Sequence, residues 1–540
     1  MLCLLLKLQG QGFLVMALDL QPGQYQIGDF VFGEKTLFRV ESFDPGGYDV
    51  NIQDFQATVS DEFRFGQDAL KPLPIQITIN AFVNSALPNI MAISPPTGPM
   101  NFESDPTVGQ FVREWRSDSI RKTWGELKPL HCCRPDGSIV SIYGRPGKLS
   151  VTKRPVNGTY HKIVAEFRRA DSLVYNEFEW YLHCRPQEIV TVGRSEDLGM
   201  GNAPAWMRFW IVGPADHPII QWGNMSIDLD VDISAGEIVE ISSYPWQRRV
   251  VGLSDGITYN SRLNSPFLDQ IKFPEESAFE VSWNATNTNT TVTQVVFDNY
   301  TPGNLPSSDW DVTYDYVGRS GSIQVGTTNV GWADSGTDNK FGFCRYKLAQ
   351  TLTDYQLTGF TMASPAELSL ISEDCVNRII GRGNATLSEY SYWDITYEDC
   401  WFGIHQNGID TRISKKFRIA TIWERIWQLL QDFFEGEVPG NNWDYEAEFG
   451  QGSQLRSHAL RINNKIVARY EEPKNNPKSV VDSNHRYCGF GMKATNRWVT
   501  QSTPGPLAKW WMRDNPPPEL AASLNISQMY VLWRDAWNTV

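Results

Sequence analysis

No run of this chain approaches the ~18 consecutive apolar residues that a membrane-spanning helix needs, so the sequence predicts no membrane span. Cysteine is scarce as well: eight in 540 residues, two of them adjacent at Cys132-Cys133, with no repeated spacing. That argues against a disulfide framework and predicts reduced thiols. Basic residues are outnumbered, 48 against 62 acidic ones, for a net charge of −14. A broad nucleic-acid-binding surface, which must replace phosphate counterions with lysine and arginine, does not fit that balance. The first residues, Met1-Leu2-Cys3-Leu4-Leu5-Leu6-Lys7, are apolar, but the charge follows the run and no Ala-x-Ala site appears; residues 1–16 are expected to be a disordered leader before an internal start at Met16. Long helical patterns are few. The chain is instead rich in tryptophan (20), glycine (42) and proline (31), and its short alternating stretches and turns predict a mainly β protein of three or four domains.

Catalytic and ligand-binding motifs are also missing. Neither Gly-x-Ser-x-Gly nor His-Glu-x-x-His occurs. Gly144-Arg145-Pro146-Gly147-Lys148 lacks the glycine at 142 and the hydroxyl at 149 of a phosphate-binding loop. Asp228, Asp230 and Asp232 begin like a calcium loop, but Ile233 and Val239 hold its glycine and bidentate-carboxylate positions; alternation makes these aspartates the solvent face of a strand. His131, Cys132 and Cys133 with the distant His183 and Cys184 lack zinc spacing, so core or interface thiols are expected. Asp444, Glu446 and Glu448 fall on one face of a strand, as the paired carboxylates of some glycosidases do, but their spacing departs from Glu-x-Asp-x-x-Glu, and a solvated face is expected. No catalytic, cofactor or metal residue is therefore predicted.

What is there is best read from Ile139 to Tyr181. Leu149 and Val151 alternate with charged or polar neighbours, Asn157-Gly158 suits a type I′ turn, and Ile163, Ala165 and Phe167 alternate with Lys162, Glu166 and Arg168: a hairpin with one core face. Around it, Gln26 to Gly33 reads as a strand closed by glycine, and Tyr48, Val50, Ile52 and Ile75, Ile77, Ile79 as half-buried strands. Asp105 and Pro106 open a helix whose stripe Val108, Phe111, Val112 and Trp115 is expected to lie on the sheet. The turn Tyr143-Gly144-Arg145-Pro146 and the strand end Glu166-Phe167-Arg168-Arg169, with Asp171 and Tyr175, resemble the belt domain of siphophage distal tail proteins, above all the minor tail proteins of actinobacterial phages. The resemblance implies an α+β belt domain over residues 17–185, a β-sandwich plus one helix, in which these ten residues are structural.

Gly213-Pro214, Pro218-Ile219-Ile220, Ala235-Gly236-Glu237 and Glu240-Ile241 resemble the galectin-like β-sandwich that follows the belt in that family, here residues 186–283. Residues 284–308, rich in Asn and Thr, read as a linker. From 309 to 512 short aromatic strands dominate, with a hairpin at Asn463-Asn464; with Asn484-His485-Arg486 and Tyr487-Cys488-Gly489-Phe490-Gly491 this stretch resembles the concanavalin A-like jelly roll of actinophage minor tail proteins. Thr421-x-x-Glu424 and the stripe Trp423, Ile426, Trp427, Leu430 predict an inserted helix at 421–434. Residues 513–540 read as a tail in which Met529, Leu532, Trp533, Ala536 and Trp537 line one helical face.

The family likeness implies a hexameric ring at the tip of a long non-contractile tail, with the tail tube protein, the tape measure protein and tail-tip proteins as partners. It implies a virion component made in the host cytoplasm. Trp393, Trp401, Trp443, Trp498, Trp510 and Trp511 offer the rings that carbohydrate binding uses, but aromatics in a sandwich are more often core, so none is singled out as a contact; binding of host cell-wall polysaccharide rather than its cleavage is the activity expected of the C-terminal part. The alternative is a secreted glycoside hydrolase built on the jelly roll.

Overall fold

Alternation decides the N-terminal half. Ile75, Ile77 and Ile79 are fully buried, and their strand, Ile75–Phe82, lies between Tyr160–Arg169 and Phe38–Asp44. In the computed structural model the described residues are 20–51, 55–56, 63–64, 69–82, 106–153, 160–193, 201, 203, 205–264, 268–272, 278–290, 292–315, 321–333, 340–364, 375–396, 399–418, 442–451, 454–463, 465–473, 475–497 and 500–537. The expected leader, the Asn157-Gly158 turn, the helix at 421–434 and Trp498 lie outside them. Among the described residues the fold is mainly β and multidomain, with strands in four large sheets.

The first sheet has twelve strands, and its main path runs Arg249–Gly252, Ile238–Ser242, Met207–Val212, Gln528–Trp537, Val174–Cys184, Ile139–Lys153, Tyr160–Arg169, Ile75–Phe82, Phe38–Asp44. The helix Pro106–Arg116 forms as its stripe predicts: Phe111 packs edge-on to Phe30 and Phe32, and Trp115 meets Phe167. A six-stranded sheet covers the other end. Its Ile220, Trp222, Ile227 and Trp283 share one core with Met207, Phe209, Ile211, Val531 and Trp533 of the first sheet.

Several sequence expectations are corrected here. Gln26 to Gly33 is two strands, Gln24–Ile27 and Phe30–Gly33, because Gly28 has φ 56° and the chain reverses with Ile27 opposite Phe30. In the long hairpin Val151 faces Ile163 and Lys153 faces His161. The expected linker at 284–308 is largely structured: Ala278–Thr286 is a strand, Thr293–Val296 pairs with Leu507–Asp514, and Phe297 is buried in the C-terminal core.

The largest correction concerns the C-terminus. Gln528–Trp537 is not a helical tail but a strand, hydrogen-bonded to Val174–Cys184 on one side and to Met207–Val212 on the other. Met529, Val531 and Trp533 enter one core while Tyr530 and Leu532 enter another. A strand buried on both faces is apolar at successive positions, which hides its period of two. The sheet thus runs unbroken across the expected boundary at 185/186, and the last strand completes it.

Residues 293–514 form a second sandwich of two nine-stranded sheets over one core, with Trp310, Trp393, Phe402, Phe490 and Trp510 in its middle. The turn at Asn463 joins its strands as predicted, Ile462 opposite Lys465. This sandwich is inserted between Ala278–Thr286 and the final strand. The two connections cross side by side, where the Asn289 N–H donates to Ser527 Oγ at 2.7 Å and the Asn289 amide donates to the Asn525 carbonyl at 2.8 Å.

Candidate functional site

The ten motif residues from Tyr143 to Tyr175 occupy one frame of adjoining strands and turns. Tyr143 is buried, stacks on Trp246 at 3.5 Å between ring centres, and accepts a hydrogen bond from Arg534 of the last strand. Gly144 is required by a close approach: a Cβ there would lie 2.1 Å from the Arg168 carbonyl oxygen. Arg145 donates to the Thr123 and Glu126 carbonyls at 2.8 and 2.7 Å, and Arg121 donates back to the Pro146 carbonyl. These bonds fasten a loop whose Trp124 side chain is 100% exposed. Glu166 lies over Gly147, Phe167 is core, Arg168 is exposed, and Arg169 reaches the Pro45 and Leu173 carbonyls. Asp171 accepts from the Tyr175 hydroxyl and the Leu173 N–H. The motif holds backbone and core together.

Beside it runs a buried polar network that sequence spacing did not reveal. Arg208 is ion-paired with Glu179 and Glu240, Trp210 and Arg249 both donate to Glu240, and Tyr244 donates to Glu179. Burial would raise the Glu177 carboxyl, but the His131 hydrogen bond and the Arg534 charge outweigh it and hold it at about 2.

The other expected sites are dispersed. Cys132 belongs to one core cluster and Cys184 to another, and His183 is buried against Gln528. Asp232 is exposed and Asp228 half-buried, and Asp230 and Asp232 flank His217 at 2.9 and 3.1 Å. Trp393, Trp401, Trp510 and Trp511 are buried rather than displayed.

Asp444, Glu446 and Glu448 do share one strand face, opposite Tyr445, Ala447 and Phe449, but that face is not solvated. Glu446 and Glu448 are 5% and 0% exposed. They are turned toward the N-terminal half, where Arg513 reaches Glu188 and Arg469 lies 4.6 Å over the Trp180 ring. Burial, reinforced by the Glu188 charge, pushes the Glu446 carboxyl up to about 7. The unfolded chain ionises this group near pH 4.5, so it opposes folding increasingly from there to about pH 7. Glu446→Gln retains an acceptor for Trp511 Nε1, 2.9 Å away. It is expected to raise the melting temperature by a few degrees at pH 8 and to have little effect at pH 4.5, as a calorimetric pH series would measure.

The open site lies on the outer face of the other C-terminal sheet. Alternate residues of its strands point there: Phe341 and Phe343, Arg378, Tyr390 and Tyr392, His405. At Gly403 a Cβ would strike the Tyr392 ring at 2.4 Å, so glycine lets the ring lie flat on the sheet. Arg378 is 1% exposed and sits 3.6 Å over Tyr392. It donates twice to Asp394, at 2.6 and 2.8 Å, and also to Tyr390 and Asp410 at 3.1 Å. His405 touches Asp410 at 2.7 Å and stacks on Tyr390. Above this floor opens a groove of about 710 Å³, rimmed by Asp315, Lys340, Arg412 and Lys493. A sheet-borne groove with a fixed planar floor and carboxylate acceptors suits a polyhydroxylated ligand.

A family described as a domain of unknown function, DUF7257, matches residues 275–518, which span the C-terminal sandwich. No curated protein matches. Among solved structures, the Dit protein of phage SPP1, described as a hub of the adsorption apparatus, is 14% identical, with 46% of this chain and 89% of that one covered and a TM-score of 0.29. The baseplate of phage P2 in its activated conformation is 9% identical, with 49% and 98% covered and a TM-score of 0.29. The carbohydrate-binding module CBM66 from Bacillus subtilis is 10% identical, with 37% and 94% covered and a TM-score of 0.23.

Proposed function

We propose that this chain is a structural protein of a phage virion, a distal tail or minor tail protein at the tip of a long non-contractile tail of the actinobacterial siphophage kind. In this reading the N-terminal half forms a homo-oligomeric, hexameric ring. The ring joins the tail tube protein to tail-tip proteins around the tape measure protein. The inserted sandwich projects toward the host envelope and holds cell-wall polysaccharide in the groove above Arg378. The protein is made in the host cytoplasm and carried in the virion, and the reading assigns it no reaction, cofactor, metal or membrane span.

The observation that carries the reading is the frame from Tyr143 to Tyr175. Residues that mark the family resemblance in sequence are those that tie the turn, the hairpin and the last strand together. The alternative, a glycoside hydrolase, loses its candidates, because Glu446 and Glu448 are sealed against the N-terminal half. The test is the mass of the full chain by light scattering over concentration and salt, with negative-stain images. A discrete hexamer with ring-shaped projections is the expected result. A monomer at every concentration, including in the presence of purified tail tubes, overturns the reading.

A further inference from the structure

We infer that the groove above Arg378 selects an acidic glycan, one whose sugars carry carboxylate or phosphate groups, over a neutral one. The inference rests on the proposed glycan-binding role and sharpens it. The whole chain carries a net charge of −14, yet cations outnumber anions among the residues lining the groove: Lys340, Arg378, Arg412 and Lys493 against Asp315, Asp394 and Asp410. Asp315 is itself engaged, accepting the Phe341 N–H at 2.7 Å. The floor does not supply this positive charge, because Arg378 is matched by Asp394 and Asp410.

Lys340 donates to the Gly321 carbonyl at 3.3 Å and lies 4.1 Å over the Tyr314 ring, so the cations placed for recognition are Lys493 and Arg412. Among the described residues neither Lys493 nor Arg412 forms an ion pair; the Arg412 guanidinium instead lies 3.7 Å over the Trp401 ring, which holds it in one orientation while leaving its donors outward. Lys493 pairs in register with Phe341 and Val376 at one side of the groove. Arg412 lies on the strand Ile409–Arg412, four strands further along the sheet. At ~4.8 Å per strand the two strand backbones lie about 19 Å apart, so the two cations reach the groove from opposite sides. Asp410, on the same strand as Arg412 and about one-third exposed, offers carboxylate oxygen to hydroxyls. A ligand that meets all of these groups carries hydroxyls as well as negative charge.

The experiment is calorimetric titration of the full chain with three polymers: polygalacturonate for carboxylate, a poly(glycerol phosphate) teichoic acid for phosphate, and dextran as neutral glycan, each at 20 and 300 mM NaCl. Acidic polymer of one or both kinds is expected to bind at least tenfold more tightly than dextran, and to weaken at high salt. Lys493→Gln with Arg412→Gln is expected to remove at least tenfold of that affinity with an unchanged melting curve. Lys162→Gln, a surface lysine of the N-terminal sheet, serves as control. Equal binding of dextran and acidic polymer, unmoved by salt or by the double variant, overturns the acidic preference while leaving glycan binding intact. Binding of none of the three overturns both. Competition by inorganic phosphate alone as effective as the teichoic acid overturns the polymer and leaves an isolated anion site.

Discussion

Removing residues 528–540 is expected to unfold the N-terminal half while the C-terminal sandwich survives. The strand Gln528–Trp537 fills the gap between Val174–Cys184 and Met207–Val212, and it buries Met529, Tyr530, Val531, Leu532, Trp533 and Ala536. At ~1.5–3 kcal/mol for each large apolar side chain, its loss costs on the order of 10 kcal/mol, comparable to the whole stability of a typical domain. Two open strand edges would also be exposed, which favours aggregation. By contrast, the sandwich of residues 293–514 has its own core and takes no strand from that segment. Calorimetry of the shortened chain should therefore show one transition where the full chain shows more. A synthetic peptide of residues 526–540 added during refolding should restore the lost one. A shortened chain that melts like the full one would remove the last strand from its central role.

The same strand marks where sequence reading stops. Ile75, Ile77 and Ile79, or Val108, Phe111 and Trp115, each display one buried face, and a period is visible because the other face is polar. Gln528–Trp537 has two buried faces and therefore no visible period, and its partners lie more than 300 residues earlier. The carboxylates of residues 444–448 were legible as one strand face, but only the position of the N-terminal half tells what covers it. The motif residues were legible because a tight turn and a close strand crossing demand particular types, such as Gly144 under the Arg168 carbonyl. The groove was not. Arg378, Asp394 and Lys493 come from three separate strands and Asp410 with Arg412 from a fourth, and no local spacing joins the four.

Arg461 at the covered face is expected to behave in the opposite way from a surface ion pair. Arg461 and Glu448 are both fully buried and in contact as an ion pair. Desolvation of two charges is expensive, and their mutual attraction offsets it only in part. Replacing Arg461 alone by Met leaves the Glu448 carboxylate buried without its counter-charge, and burial already raises that carboxyl above its ordinary range. A loss of about 3–5 kcal/mol is expected, measured by denaturant unfolding at pH 7. Much of it should be recovered near pH 4, where the carboxyl is protonated in both states. Replacing both residues by Met removes both charges at similar volume, so the double variant should be as stable as the parent, or more stable by about 1–4 kcal/mol. If the double variant were as damaged as the single one, the stability of this contact would come from packing at the interface and not from the balance of the two charges.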